Sequence, residues 1–203
     1  VYGMTVAEYA QMINGEGWLN NHIKANLMVI PSKNYTHNTY YELPVPPSPN
    51  LPDMRSILLY PSTCFFEGTT LSLGRGTAKP FQYIGHPSLT TQFSFKPESN
   101  EGAKNPPLKG EICYGVDLST IPLPEIIHKK ELNLNYLIDF HQRMKAKGQK
   151  YWLDNHFIDK LAGSDQLRTQ IDKGMSEKEI RSSWQPKLQE FKKIRSKYLI
   201  YSD

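Results

Sequence analysis

The sequence predicts an α+β fold in a single domain, with a small β-sheet and proline-rich loops in the N-terminal part and helices in the C-terminal part. Three observations support this. Short apolar runs bounded by Gly and Pro lie before residue 120, apolar residues take helical spacing from about Lys130, and no segment is repeated. At 203 residues, 38% apolar and 11% aromatic, the chain is long enough to bury a sizeable core.

Thr5-Val6-Ala7-Glu8 has capping-box spacing, and Val6, Tyr9, Ala10 and Ile13 recur at helical intervals. A helix is therefore expected to about Asn14, stopped by Gly15 and Gly17. Ile23 to Ile30, ending in Leu27-Met28-Val29-Ile30, reads as a strand. "ELPVPPSPNLP" (Glu42 to Pro52) then holds five prolines in eleven residues. Proline fixes φ and lacks an N–H, so this is a stiff, extended loop. "DMRSILLY" is a short helix or strand, and "KPFQYIG" and "EICYGVDL" suggest strands separated by a polar surface loop from Ser94 to Gly110. Farther on, Leu132, Tyr136, Leu137, Phe140 and Met144 form a helical stripe ending near Gly148. Phe157, Ile158 and Leu161 mark one short helix, and Leu167 with Ile171 another. Ser176-Glu177-Lys178-Glu179 is a second capping box, opening a helix with Ile180, Trp184, Leu188 and Phe191 on one face. Pro186 is expected to kink or restart it, and Trp184 to lie in the core.

Several function classes are disfavoured. The net charge of +4 comes from 24 Lys+Arg against 20 Asp+Glu, and much of the excess lies in stretches such as Lys187 to Lys197, the pattern of a solvated helix face. No aromatic and basic residues interleave in a nucleic-acid-binding module. No apolar run approaches the ~20 residues of a membrane span. Val1-Tyr2-Gly3-Met4 has neither an initiator Met nor a basic n-region, so any targeting signal is expected upstream. Six histidines show no ligand spacing, and neither a metal nor a cofactor is expected. Cys64 and Cys113 are either two buried thiols or one disulfide. Asn34-Tyr35-Thr36 fits a glycosylation sequon, which matters only in a eukaryotic secreted chain.

One stretch carries more chemistry. "CFFEGTTLSLGRGT" (Cys64 to Thr77) gathers Glu67, Arg75, three glycines and several hydroxyls. Gly-Arg-Gly-Thr can form an anion nest, although the P-loop lysine and the dinucleotide fingerprint are missing. Arg75 could clamp a ligand carboxylate bidentately, with Thr69, Thr70, Ser72 and Thr77 bonding hydroxyls, as an acidic sugar would require. Alternatively, Glu67 and Arg75 only pair with each other across a turn. Packing against Phe65 and Phe66 would make Glu67 an acid, whereas contact with Arg75 would make it a nucleophile, base or charge stabiliser. Residue types leave both readings open.

The segments "YGMTVAEYAQMINGEGWL", "VPPSPNLP", "LLYPSTCFFEGTTLSLGRGTAKPFQYIGHP", "GEICYGVDL" and "EIRSSWQPKLQEFKKIRSKYLIY" resemble the NamZ-like exo-β-N-acetylmuramidases of bacteria, in the family's order and over most of the chain. The resemblance implies hydrolysis of terminal N-acetylmuramic acid from the non-reducing end of peptidoglycan fragments, in a periplasmic or secreted protein. It also implies that residues 1–203 are a C-terminal domain, with a Rossmann-like N-terminal half upstream and the active site between the two. On this reading Glu67 is catalytic and Arg75 holds the lactyl carboxylate. Asn50, Thr69 and Ser72 bind sugar hydroxyls or the acetamido group, and a second carboxylate comes from the other half. The alternatives are a non-catalytic module binding peptidoglycan fragments and a structural domain that supports a catalytic half.

Overall fold

Both capping boxes form. In the first, Glu8 N–H donates to Thr5 Oγ1 at 3.3 Å, while Thr5 N–H donates to Glu8 Oε2 at 2.7 Å. They open helix α1 (Val6–Glu16), which ends on Gly17 at φ 72°. The second opens α7 (Glu177–Arg195) through Ser176 and Glu179. A third, not expected, joins Asp53 to Ser56 at the start of α2 (Met54–Thr63), which settles "DMRSILLY" as a helix. This computed structural model describes residues 3–202; Val1, Tyr2 and Asp203 lie outside the described residues.

The expected α+β class holds. Strands β1 (Tyr83–His86), β2 (Phe93–Phe95) and β3 (Cys113–Asp117) form an antiparallel sheet in the order β1-β3-β2. Gly85 faces Gly115 across the β1–β3 ladder. A Cβ on Gly115 would stand 1.8 Å from the Ile84 carbonyl oxygen, so the close approach of these strands requires glycine there. Helices α3 (Leu123–Lys129), α4 (Asn135–Ala146), α5 (Phe157–Ala162) and α6 (Gln166–Asp172) precede α7. The sequence reading missed β2, which occupies the start of the expected polar loop, and α3, a short helix begun by Pro122 and Pro124.

Two expectations are corrected. Ile23 to Ile30 forms no strand within this chain, because no neighbouring strand pairs with it among the described residues. Pro186 does not restart α7, which runs as one helix through it, since a proline removes a single i→i−4 bond. Trp184, expected in the core, is half-buried. Cys64 and Cys113 are free thiols. Burial, with the charges of Glu67 and Glu111 respectively, pushes them up to about 11 and about 12.

The chain divides into two compact units, residues 42–180 and residues 1–41 with 181–203. The core of the larger unit is built from Phe66, Phe81, Ile84, Leu137, Phe140 and Ile158, all almost fully buried. The smaller unit is organised around Glu8. Its fully buried carboxylate accepts five hydrogen bonds, from Thr5 N–H, Thr5 Oγ1, His37 Nε2, Ile200 N–H and Tyr201 N–H, at 2.7–3.2 Å.

Burial alone would raise the Glu8 pKa, but the donors from Thr5, His37, Ile200 and Tyr201 outweigh it and bring the group from 4.5 to about 2. Its contribution is therefore complete above about pH 4.5 and is lost as pH falls through about 2. Glu8→Ala should cost on the order of 3 kcal/mol at neutral pH, by stranding donors that five bonds now satisfy. Urea denaturation at pH 7 and pH 2.5 checks this, the difference between wild type and variant shrinking at the lower pH.

Candidate active site

Pro61 sits in the last turn of α2, and beyond it the chain tightens into a 3₁₀ turn over Cys64–Gly68. Phe65 and Phe66 are buried, and Phe66 meets the Phe140 ring edge-on at 5.8 Å, so Glu67 is directed toward the surface. Backbone bonds then fix the following residues. Leu153 N–H donates to Gly68 O at 3.0 Å, Thr70 N–H to Tyr151 O at 2.8 Å, and Thr70 Oγ1 to Lys150 O at 2.8 Å. The 150–153 segment is itself anchored by Asp172, which accepts from Trp152 Nε1 at 2.7 Å and from His141 Nε2 at 3.0 Å. Burial of His141 lowers its pKa, and the Asp172 charge opposes that shift.

Gly68 is as much a spatial as a conformational requirement, since a Cβ there would stand 2.5 Å from the backbone nitrogen of Ile158, at the start of α5. Gly74 and Gly76, at φ 71° and 81°, turn the chain so that Arg75 comes back to Glu67. The Arg75 Nη2 donates to Glu67 Oε2 at 2.6 Å, and the guanidinium carbon lies 5.0 Å from the centre of the Phe81 ring. The Arg75 Nε is buried without a partner. Tyr60 also interacts with Glu67; burial first, and the Glu67 charge second, raise its phenol pKa.

Glu67 and Arg75 line a cleft of about 240 Å³ with Thr69, Thr70, Leu108 and Phe157 among its other walls. Their side chains are 19% and 34% exposed, so both reach the open cleft while bonded to each other. Of the expected site residues, Glu67, Thr69 and Arg75 therefore come together. Thr69 is only 5% exposed, and its hydroxyl donates to Phe66 O and accepts from Leu71 N–H. Asn50 and Ser72 do not line the cleft. Asn50 Nδ2 donates to Gly102 O at 2.8 Å, and Ser72, fully buried, accepts from Gly74 N–H at 3.3 Å. The anion nest closes on itself, with Thr77 N–H bonded to Gly74 O. Sequence reasoning missed Tyr60, on the preceding helix α2, and Leu108, Leu153 and Phe157, which come from distant segments and carry no local signal. Among the described residues no cluster of His, Cys, Asp and Glu could hold a metal ion, and no helix is long and apolar enough to cross a membrane.

Comparisons with known proteins give a consistent picture. Residues 58–201 match the family described as exo-beta-N-acetylmuramidase NamZ, C-terminal, and residues 1–55 match its N-terminal counterpart. The chain is 33% identical over 98% of its length to the peptidoglycan beta-N-acetylmuramidase NamZ of Bacillus subtilis (strain 168), and spans 50% of that protein. A DUF1343 family protein from Bacteroides fragilis, known from a crystal structure, is 48% identical and superposes with a TM-score of 0.91 over all of this chain and 57% of its own. A second from the same organism, 20% identical with a TM-score of 0.70, shares the fold.

The contact at Gly68 yields a prediction. Gly68→Ala should force α5 away from the Glu67 turn and cost about 1–3 kcal/mol of overpacking, read as a fall in the denaturation midpoint.

Proposed function

Because the chain belongs to the exo-β-N-acetylmuramidase NamZ family, we propose that it serves a peptidoglycan glycosidase that works outside the cytoplasm. The reaction is release of terminal N-acetylmuramic acid from the non-reducing end of peptidoglycan fragments, and this chain supplies one wall of the site. The observation that carries this reading is the Glu67–Arg75 pair, joined at 2.6 Å in an open cleft with apolar and hydroxyl-bearing walls. Cleavage passes through an oxocarbenium-like transition state, and a carboxylate held in place beside the sugar ring stabilises that charge or attacks it. Arg75 orients Glu67 through Nη2, and its partly exposed guanidinium keeps further N–H groups for the ligand's own carboxylate. Ser72 braces the wall formed by Leu71 and Leu73, while Asn50 is bonded to Gly102 away from the cleft.

Glycoside hydrolysis uses two carboxyl groups, and Glu67 is the single carboxylate lining the cleft among the described residues. The second is assigned to the part of the family's full length that lies outside this chain, which spans about half of the Bacillus subtilis relative. The same observation favours a second reading, in which the chain by itself binds muramic acid without cleaving it.

In a full-length form, Glu67→Gln should lower kcat on a muramic acid glycoside by about 10²–10⁴-fold with little change in KM. Unchanged turnover would remove Glu67 from the chemistry. Arg75→Ala should weaken a substrate bearing the lactyl acid at least tenfold more than the matching N-acetylglucosaminide. An equal loss on both would end the clamp role.

A further inference from the structure

The smaller unit wears two apolar surfaces on its outside. Helix α1 buries Glu8 and Met12, while Val6 and Tyr9, which begin its apolar stripe, are 75% and 51% exposed. The second surface is the Ile23 to Ile30 segment. Met28 and Ile30 are 90% and 87% exposed, and Leu27 is also exposed. Its backbone is equally unused. Among the described residues, no backbone hydrogen bond involves residues 26–31, and none of residues 23–33 takes a positive φ. Five N–H groups without partners, on an apolar run of high β propensity, form an open strand edge. Asn14 ties this segment to α1 by bonding both the N–H and the carbonyl of Ala25, at 2.7 and 3.0 Å. Helix and edge are thus presented together, as a helix and strand torn from one layered sheet would be.

We infer that Leu27–Ile30 is a β-strand that pairs with the edge of a sheet in the portion of the family's N-terminal domain not contained in this sequence, with Val6 and Tyr9 of α1 packing against that same portion. The occupant follows from length and position. Residues 1–55 match the family's N-terminal domain, and the chain accounts for 50% and 57% of the two relatives compared at full length. The uncovered surfaces both lie within those 55 residues. This inference goes beyond the glycosidase reading and does not need it, because its readout is backbone protection rather than turnover.

The test joins the uncovered N-terminal portion of the Bacteroides fragilis relative ahead of residue 1 and compares amide hydrogen exchange with that of the 203-residue chain. The Leu27–Ile30 amides should slow by at least 100-fold in the joined protein, and Ile30→Lys or Val6→Lys should reverse most of that slowing. Equally fast exchange in a joined protein that circular dichroism shows to be folded would overturn the inference. So would concentration-dependent protection of the same amides in the 203-residue chain alone, which would make the occupant a second copy. Should the joined protein fail to fold, the intact Bacteroides fragilis relative supplies the measurement. Fast exchange in its segment aligned with Leu27–Ile30 overturns the inference, and slow exchange supports it.

Discussion

The candidate site depends on how closely two stretches of backbone approach at Gly68. A Cβ on Gly68 would stand 2.5 Å from the Ile158 nitrogen, and Leu153 and Thr70 bond across to Gly68 and Tyr151. This approach fixes the 3₁₀ turn from both ends, with Phe66 locked against Phe140 inside. Glu67 then has little choice of direction. Its position is set by packing and main-chain bonds, which are stiffer than any single surface ion pair. The anchoring of Trp152 and His141 on Asp172 belongs to the same framework, since it holds the strand-like segment on which Gly68 and Thr70 rest.

Glu8 and Glu67 show how the number of donors separates a carboxylate that is filled from one left open to a cleft. Glu8 is fully buried and accepts five hydrogen bonds, so its lone pairs are filled and nothing remains for a ligand. Glu67 receives one strong bond from Arg75 and opens onto a cleft. Arg75 is in turn held by the Phe81 face while its Nε lacks a partner. The pair is nonetheless open to the cleft, where both side chains keep exposed polar surface. The pairing of Glu67 with Arg75 and a role in binding are therefore compatible.

Much of the fold was legible because it is locally encoded. The capping boxes at Thr5 and Ser176, the stripe of Leu137, Phe140 and Met144, and the strand at Cys113 to Asp117 all rest on spacing within a few residues. Glu67 and Arg75 were legible as a pair because the glycines between them allow the chain to return. The remaining walls were hidden, since Leu108 and Leu153 enter the cleft from loops and Phe157 from the start of α5, and their approach is decided by tertiary packing. Ser72 misled for a related reason. Residue type suggests a hydroxyl for a ligand, but the turn at Gly74 takes that hydroxyl for its own N–H.

The apolar pattern of a sequence reports burial in the whole protein, whatever part of it is present. In residues 42–180 pattern and burial mostly agree: Phe66, Ile84, Leu137 and Ile158 are apolar and inside, with exceptions such as Val45 and Ile112. In the smaller unit they disagree, with Val6, Met28 and Ile30 outside and a glutamate at the centre. A natural chain resolves such conflicts or uses them, because exposed strand edges invite unwanted pairing. The conflict is concentrated in residues matching the family's N-terminal domain, although Ile112 and Leu188 are exposed outside them. It therefore follows the boundary between the two family domains, as it would if the surfaces were made to be covered by the rest of that domain.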